Sequence, residues 1–322
     1  MAGIPFVEPL EGLVYGAVNQ LSPLVARVVA ENPSKFTYKG TGTYIIGRDE
    51  VVVVDSGPNL PSHRTALERA LDGRRVQGIV ITHCHSDHVP LSYWLAESTG
   101  AQTYGFGPHP RPAATDAFDD DDEDENEKPN NTGDGKEREH TDFDFTPTVA
   151  VRDGQRFLTV DGWSLTAVHT PGHTSNHLCI HLDAENALFT GDHIMGWSTT
   201  VVSPPDGNMA DYMASVRKLI ERSDAVLYPT HGNPVRDPVP FLAAYLAHRI
   251  ERENQIVELL QRRPSTIRAM VEVLYANVRR ELHKPARRSV MSHLLKLNDE
   301  GIVTTVNDVP PSMRSIWTVR NR

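Results

Sequence analysis

The chain has 322 residues, 39% of them hydrophobic, which is enough for one large domain, or a large and a small one, with a sizeable core. Its two cysteines, Cys84 and Cys179, exclude a disulfide scaffold and show no Cys-x-x-Cys spacing, and its longest apolar runs, such as residues 51–54 and 79–81, fall far short of the roughly 20 residues that span a bilayer. The net charge of −10 has one source: residues 116–144 hold 14 acidic and three basic side chains, whereas residues 241–322 hold 14 basic and eight acidic ones.

The first residues, Met-Ala-Gly-Ile-Pro-Phe-Val-Glu, lack a basic stretch followed by an apolar one, so no signal peptide is read and a cytoplasmic location is expected. Residues 41–58, "TGTYIIGRDEVVVVDSGP", are β-branched on both sides of a Gly47-Arg48-Asp49-Glu50 turn and predict a hairpin. Residues 61–71 have helical spacing with Ser62 as cap, and "VQGIVITH" is a second buried strand. "VPLSYWLAESTGA" reads as a helix stopped near Gly100, and "AQTYGF" as the next strand. Residues 113–147 then carry a like-charge block with almost no apolar spacing, the composition of a mobile acidic insertion. Alternation resumes in "DGQRFLTVDGWSLTAVHTPGH", two strands joined at Asp161-Gly162, followed by strands "HLCIHL" and "ALFTGDH", a helix over residues 211–222, and a strand "AVLYPTHG". After a proline-punctuated boundary at residues 234–240 the pattern turns helical, with a long amphipathic helix ending before Pro264, a second after Ser265 and a third over residues 285–300. "IVTTV" and "SIWTVR" close as a hairpin, giving the outline of a winged helix. The expected division is an α/β domain over residues 1–240 and a winged-helix-like domain over 241–322.

"THCHSDHV", residues 82–89, sets His83, His85, Asp87 and His88 in a loop after a buried strand, at the carboxyl edge of a sheet where α/β ligands bind. In extended chain His83 and His85 project to one side; Asp87 and His88, past a bend, face a second point. Imidazole and carboxylate suit a borderline cation such as zinc, and this density fits two metals better than one. Three more strand ends supply ligand-type residues: His173, Asp192 and His231. His83, His85 and His173 make one site, and Asp87, His88 and His231 the other. Asp192 bridges them, and Asp55 orients the loop through hydrogen bonds. Asp87 and Asp55 are thus the carboxylates expected to serve catalysis. Cys84 should point away from the ligands, and Cys179 should be a buried small hydrophobe. His63, His109, His140, His248, His283 and His293 are read as surface or core residues, and His177 and His181 as structural. His169 supports the site at most, and His193 faces away from Asp192. Thr199, Thr200, Tyr93 and Trp197 are candidate walls of the pocket.

"THCHSDH", "TPGHT", "TGDH" and "PTHG", in this order after a strand ending in Asp-Ser-Gly, resemble the metallo-β-lactamase superfamily across residues 55–231. "AENPSKFTYKGTGTYIIG", "GDHIMGWSTTVV", "NMADYMASVRKL" and the helical tail resemble its β-lactamase-like protein 2 branch over nearly the whole chain, the exception being residues 113–147. The resemblance implies an αββα sandwich followed by a winged-helix-like domain. Two divalent cations, zinc with iron or manganese also accepted, would sit roughly 3.5–4 Å apart and share a hydroxide that attacks the substrate. The branch includes single-strand endoribonucleases, and Arg279, Arg280, Lys284, Arg287 and Arg288 offer phosphate-attracting charge, which the acidic insertion would oppose within roughly 8–10 Å. A thioester or lactone substrate, with lactam hydrolysis as a side activity, is the alternative. A nucleic-acid binder with structural metal is a third reading, opposed by the intact Asp87 and by a third helix, "SVMSHLLKL", that is mostly core-facing. The tail is expected to shape the cleft or a homodimer interface.

Overall fold

The computed structural model describes residues 3–7, 10–111, 140–277 and 280–320, so residues 112–139, most of the expected acidic insertion, lie outside the described residues. A seven-stranded sheet runs in order β1 (Val18–Gln20), β2 (Val25–Val29), β3 (Gly42–Gly47), β4 (Glu50–Val54), β5 (Arg75–Val80), β6 (Thr103–Gly105) and β7 (Val149–Ala150). The first four strands pair antiparallel, and β4 to β7 pair parallel. A five-stranded sheet is ordered β12 (Val226–Pro229), β11 (Ala187–Gly191), β10 (Leu178–Leu182), β9 (Trp163–His169) and β8 (Arg156–Val160).

The valine run of β4 shows why the layers stack. Val52 and Val54 turn inward with Tyr44, Ile46 and Val80 against Leu165, Ala167, Ile180 and Phe189 of the other sheet. Val51 and Val53 turn outward to Ala66, Leu67, Leu91 and Leu95, which lie on α1 (Pro61–Ala70) and α2 (Pro90–Thr99). A strand covered on both faces needs apolar residues at every position rather than every second one. The second sheet is covered by α3 (Met209–Arg222) and the start of α4 (Pro238–Arg262), with Tyr212, Met213, Val216, Phe241 and Tyr245 packed on Cys179, Leu188 and Leu227. The result is the expected αββα sandwich.

α4 continues into a smaller core, where Ile256 and Leu260 meet Ile267, Met270, Val290, Leu294 and Trp317. That core is built from α5 (Ile267–Leu274), α6 (His283–Asp299) and a three-stranded sheet of β13 (Ser265–Thr266), β14 (Val303–Thr305) and β15 (Ile316–Val319), the expected winged helix. No helix among the described residues is long and apolar enough to cross a membrane.

Two expectations need correcting. α1 starts two residues earlier than a Ser62 cap allows: its cap position is Leu60, without a side-chain cap, and Pro61 opens the first turn, where a missing N–H costs nothing. Residues 140–147, assigned to the solvated insertion, pack on the sandwich instead. The Ser86 N–H donates to His140 O at 2.7 Å, the Asp142 N–H to Cys84 O at 2.7 Å, and Phe145 is buried beside α2.

Candidate metal centre

Five strands deliver the site, all at their carboxyl ends. β5 leads into His83, His85, Asp87 and His88; β4 into Asp55, β9 toward His173, β11 directly into Asp192 and β12 into His231. The ligand atoms of His83, His85, His173 and Asp192 lie within 4.8 Å of one another, as do those of Asp87, His88 and His231. Asp192 joins the two groups: Oδ1 is 3.3 Å from His231 Nε2 and 3.6 Å from His88 Nε2, while Oδ2 is 4.0 Å from His173 Nε2. All seven residues that the sequence singled out converge on one place.

The outer nitrogen of four of the five rings is held, which decides which nitrogen faces inward. His88 Nδ1–H donates to Asp55 Oδ2 at 2.9 Å, His173 Nδ1–H to Val201 O at 2.7 Å and His231 Nδ1–H to Gly40 O at 3.2 Å. Thr82 Oγ1 gives its only proton to Asp55 Oδ2 at 2.9 Å and so accepts from His83 Nδ1–H at 3.0 Å. With these protons placed, four Nε2 atoms face inward. His85 enters through Nδ1, 2.9 Å from His83 Nε2 and 3.2 Å from His173 Nε2. One proton on His85 cannot satisfy both contacts. His88 Nε2 and Asp192 Oδ1 are likewise buried without hydrogen-bond partners, a state that a water or an ion relieves. The donor set therefore fits a metal ion, and nitrogen with carboxylate oxygen is the mixture that zinc and similar cations accept.

Charge divides the centre. Burial, reinforced by neighbouring imidazoles, pushes His83 and His85 well below the usual histidine range. Burial acts the same way on His88 and His231, but carboxylates outweigh it: Asp87, Asp55 and Asp192 hold His88 well above its ordinary value, and Asp192 and Asp87 lift His231 to about 10. Burial opposes the charge of Asp192, yet His231 and His88 keep it well below the carboxylate range. The carboxylate half of the site demands positive charge.

Backbone freedom is needed at two glycines. A side chain on Gly40 (φ +122°) would place Cβ 2.1 Å from Ala30 O, and one on Gly172 (φ +140°) 2.3 Å from Tyr212 Cα. Only glycine brings the Gly40 carbonyl to His231 and lets the turn before His173 lie against α3.

The remaining expectations sort by contact. Cys84 turns away and accepts from Asn176 Nδ2 at 3.2 Å, and Cys179 is buried in the α3 core. His193 faces Tyr212 with ring centroids 4.6 Å apart, and His169 stacks on Phe106 at 3.9 Å. Trp197 stacks on Tyr38 at 4.6 Å. Tyr93 is an exposed residue bonded to Asp142. Thr200 is buried, its hydroxyl lying 2.8 Å from Asp192 O and 3.0 Å from His193 O. Sequence reasoning missed Thr41, whose hydroxyl donates to Asp87 Oδ2 at 2.8 Å. It also missed Thr82 and Thr230, both on Asp55 Oδ2. For Thr82 and Thr230 the signal was there, because each directly precedes a ligand histidine, whereas Thr41 precedes Gly42.

The model of the Metallo-beta-lactamase superfamily matches residues 39–231. The chain belongs to this family. The Beta-lactamase associated winged helix domain matches residues 266–316 of this metallo-β-lactamase superfamily hydrolase. It is 31% identical to the Beta-lactamase-like protein 2 homolog of Drosophila melanogaster over 88% of this chain and 91% of that one. It is 30% identical to the Atrochrysone carboxyl ACP thioesterase of Emericella nidulans over 89% and 82%. A beta-lactamase domain protein from Burkholderia ambifaria shares the fold at a TM-score of 0.72 with 19% identity, covering 97% of this chain and 96% of that one.

Proposed function

We propose that this superfamily member is a dinuclear metallohydrolase that cleaves an acyl thioester. The observation carrying the dinuclear reading is Asp192, whose two carboxylate oxygens face different ligand groups. His83, His85 and His173 would hold one cation, Asp87, His88 and His231 the other, with Asp192 common to both and zinc the cation that suits the set. Bound divalent cations supply Lewis-acid polarisation of the scissile carbonyl or phosphoryl oxygen and activate water near neutral pH. The chain does the positioning. Asp55 fixes His88 and the Thr82 backbone, Thr41 fixes Asp87, and the Gly40 and Val201 carbonyls fix His231 and His173. Groups held this way need no reorganisation during reaction.

The thioester reading draws on relatives named as acyl-carrier thioesterases, such as that of Emericella nidulans. Cleavage of single-stranded RNA is the second reading, favoured by Arg288 of α6. Its Nη1 lies 3.5 Å from Ser203 Oγ, two residues beyond the Val201 carbonyl that holds His173. That places a cationic side chain near the metal-site loop, where phosphate recognition needs it.

The test is a parallel assay of the zinc-loaded protein on an acyl thioester such as S-lactoylglutathione, labelled single-stranded RNA, a homoserine lactone and nitrocefin. Thioester turnover is expected, and the double replacement Asp87→Ala, His88→Ala should reduce it by more than about 100-fold, beyond what loss of a group one contact removed from a metal costs. RNA cleavage without thioester turnover would replace the first reading by the second. Turnover that survives the double replacement would overturn both.

A further inference from the structure

α4 links the two cores, yet two of its side chains end at the loop between Asp192 and Val201. Arg249 is 4% exposed and donates from Nη2 to Thr200 O, while its guanidinium lies over the Tyr212 ring, 5.0 Å from the centroid. Tyr245, fully buried one turn earlier, sets its hydroxyl against the carbonyls of Met195 and Ser198 and accepts the Met195 N–H at 3.3 Å. The segment so held is the one that reaches the metal centre. Thr200 Oγ1 lies 2.8 Å from Asp192 O, and the next carbonyl, Val201 O, takes the Nδ1 proton of His173. Tyr212, beneath Arg249, donates to His193 O at 2.9 Å. A buried guanidinium is costly to desolvate, and its position between the Thr200 carbonyl and the Tyr212 ring recovers part of that cost through charge-assisted hydrogen bonding and cation–π attraction.

From this geometry we infer that Arg249 and Tyr245 are positioning residues of the metal centre: the helix that carries the winged helix fixes the backbone of Asp192 and the acceptor of His173. The inference rests on the dinuclear reading above. In consequence the C-terminal unit is part of the hydrolytic site through α4, whatever else it contacts.

Zinc affinity measured by chelator competition on the full chain tests it with a readout independent of turnover. Arg249→Met and Tyr245→Phe should each weaken zinc binding severalfold, less than the roughly 10- to 100-fold that removing a direct outer partner of a ligand costs. Arg249→Lys should recover part of the loss, because an ammonium can still reach the Thr200 carbonyl but lacks the planar guanidinium that lies over the Tyr212 ring. Leu260→Ala, in the winged-helix core away from this loop, should lower the melting temperature without changing affinity. Wild-type affinity in folded Arg249→Met, or in Tyr245→Phe should Arg249→Met not fold, would overturn the inference. So would equal weakening by Leu260→Ala, which would mark a general loosening. A wild-type chain that takes up no zinc would instead overturn the metal reading, and this inference with it.

Discussion

Asp55 accepts four hydrogen bonds inside the protein: the Thr82 N–H at 2.9 Å, the Thr82 hydroxyl at 2.9 Å, the Thr230 hydroxyl at 3.2 Å and His88 Nδ1–H at 2.9 Å. It reaches them from the left-handed region, at φ 51°, which an aspartate tolerates better than most residues. Asp55→Asn keeps the volume and removes the charge, and its amide nitrogen would face donors. Zinc affinity should fall about 10- to 100-fold, and leaving buried donors unpaired should cost the metal-free protein about 1–3 kcal/mol. Chelator competition and denaturation in EDTA check the two effects separately; an unchanged affinity would remove Asp55 from the account. At this scale the ligands themselves were readable, because histidine and aspartate following a buried strand have few other uses at such density. The threonines were harder to read, since a hydroxyl caps helices, fills turns and packs in cores as readily as it holds a carboxylate. Arg249 gave no sign at all. In a helix read from its periodicity it looks like any other charged residue until the fold shows which face it occupies.

Between α4 and α6 the winged helix carries its own polar cluster. Glu253 accepts from His293 Nδ1–H at 3.1 Å and from Lys296 at 2.9 Å. Burial tends to raise Glu253, but these two donors outweigh it and hold the carboxyl below its usual range. Burial lowers His293 to about 4, with the Arg249 and Arg252 charges adding to it and Glu253 opposing. Between roughly pH 6.5 and pH 4 the unfolded chain therefore binds a proton at this histidine that the folded chain does not, so stability falls as pH falls through that window. Glu253 stays ionised there, and its contribution is lost only below the ordinary glutamate range. In EDTA, the urea midpoint of the wild type should drop more between pH 7 and pH 5 than that of His293→Gln; His63, also lowered to about 4 by burial, supplies a common background. Equal drops would show that His293 titrates normally. Most elements were legible from period and punctuation, but β1 and β2 were not. β1 is three exposed residues at a sheet edge, and β2, buried at every position, follows Ser22-Pro23 with no alternation to mark it.

The whole molecule is two cores threaded by one helix, with the metal centre at the rim of the larger. The order of motifs along the chain made the sandwich and winged helix readable. What joins them was not readable, because the change in composition near residue 240 marks where strands give way to helices, whereas packing lets Phe241 and Tyr245 serve one core and Ile256 and Leu260 the other. The acidic stretch misled in part: its composition gave no reason to expect Phe145 in a core, since the short alternation of Phe143 and Phe145 with aspartates ends a long run of carboxylates. Everything proposed for catalysis depends on the number of cations the seven side chains hold. Metal content by elemental analysis, after saturation with zinc and removal of excess, tests this most directly. The account predicts two equivalents per chain, falling below two in Asp192→Asn; one equivalent or none in the wild type would contradict it.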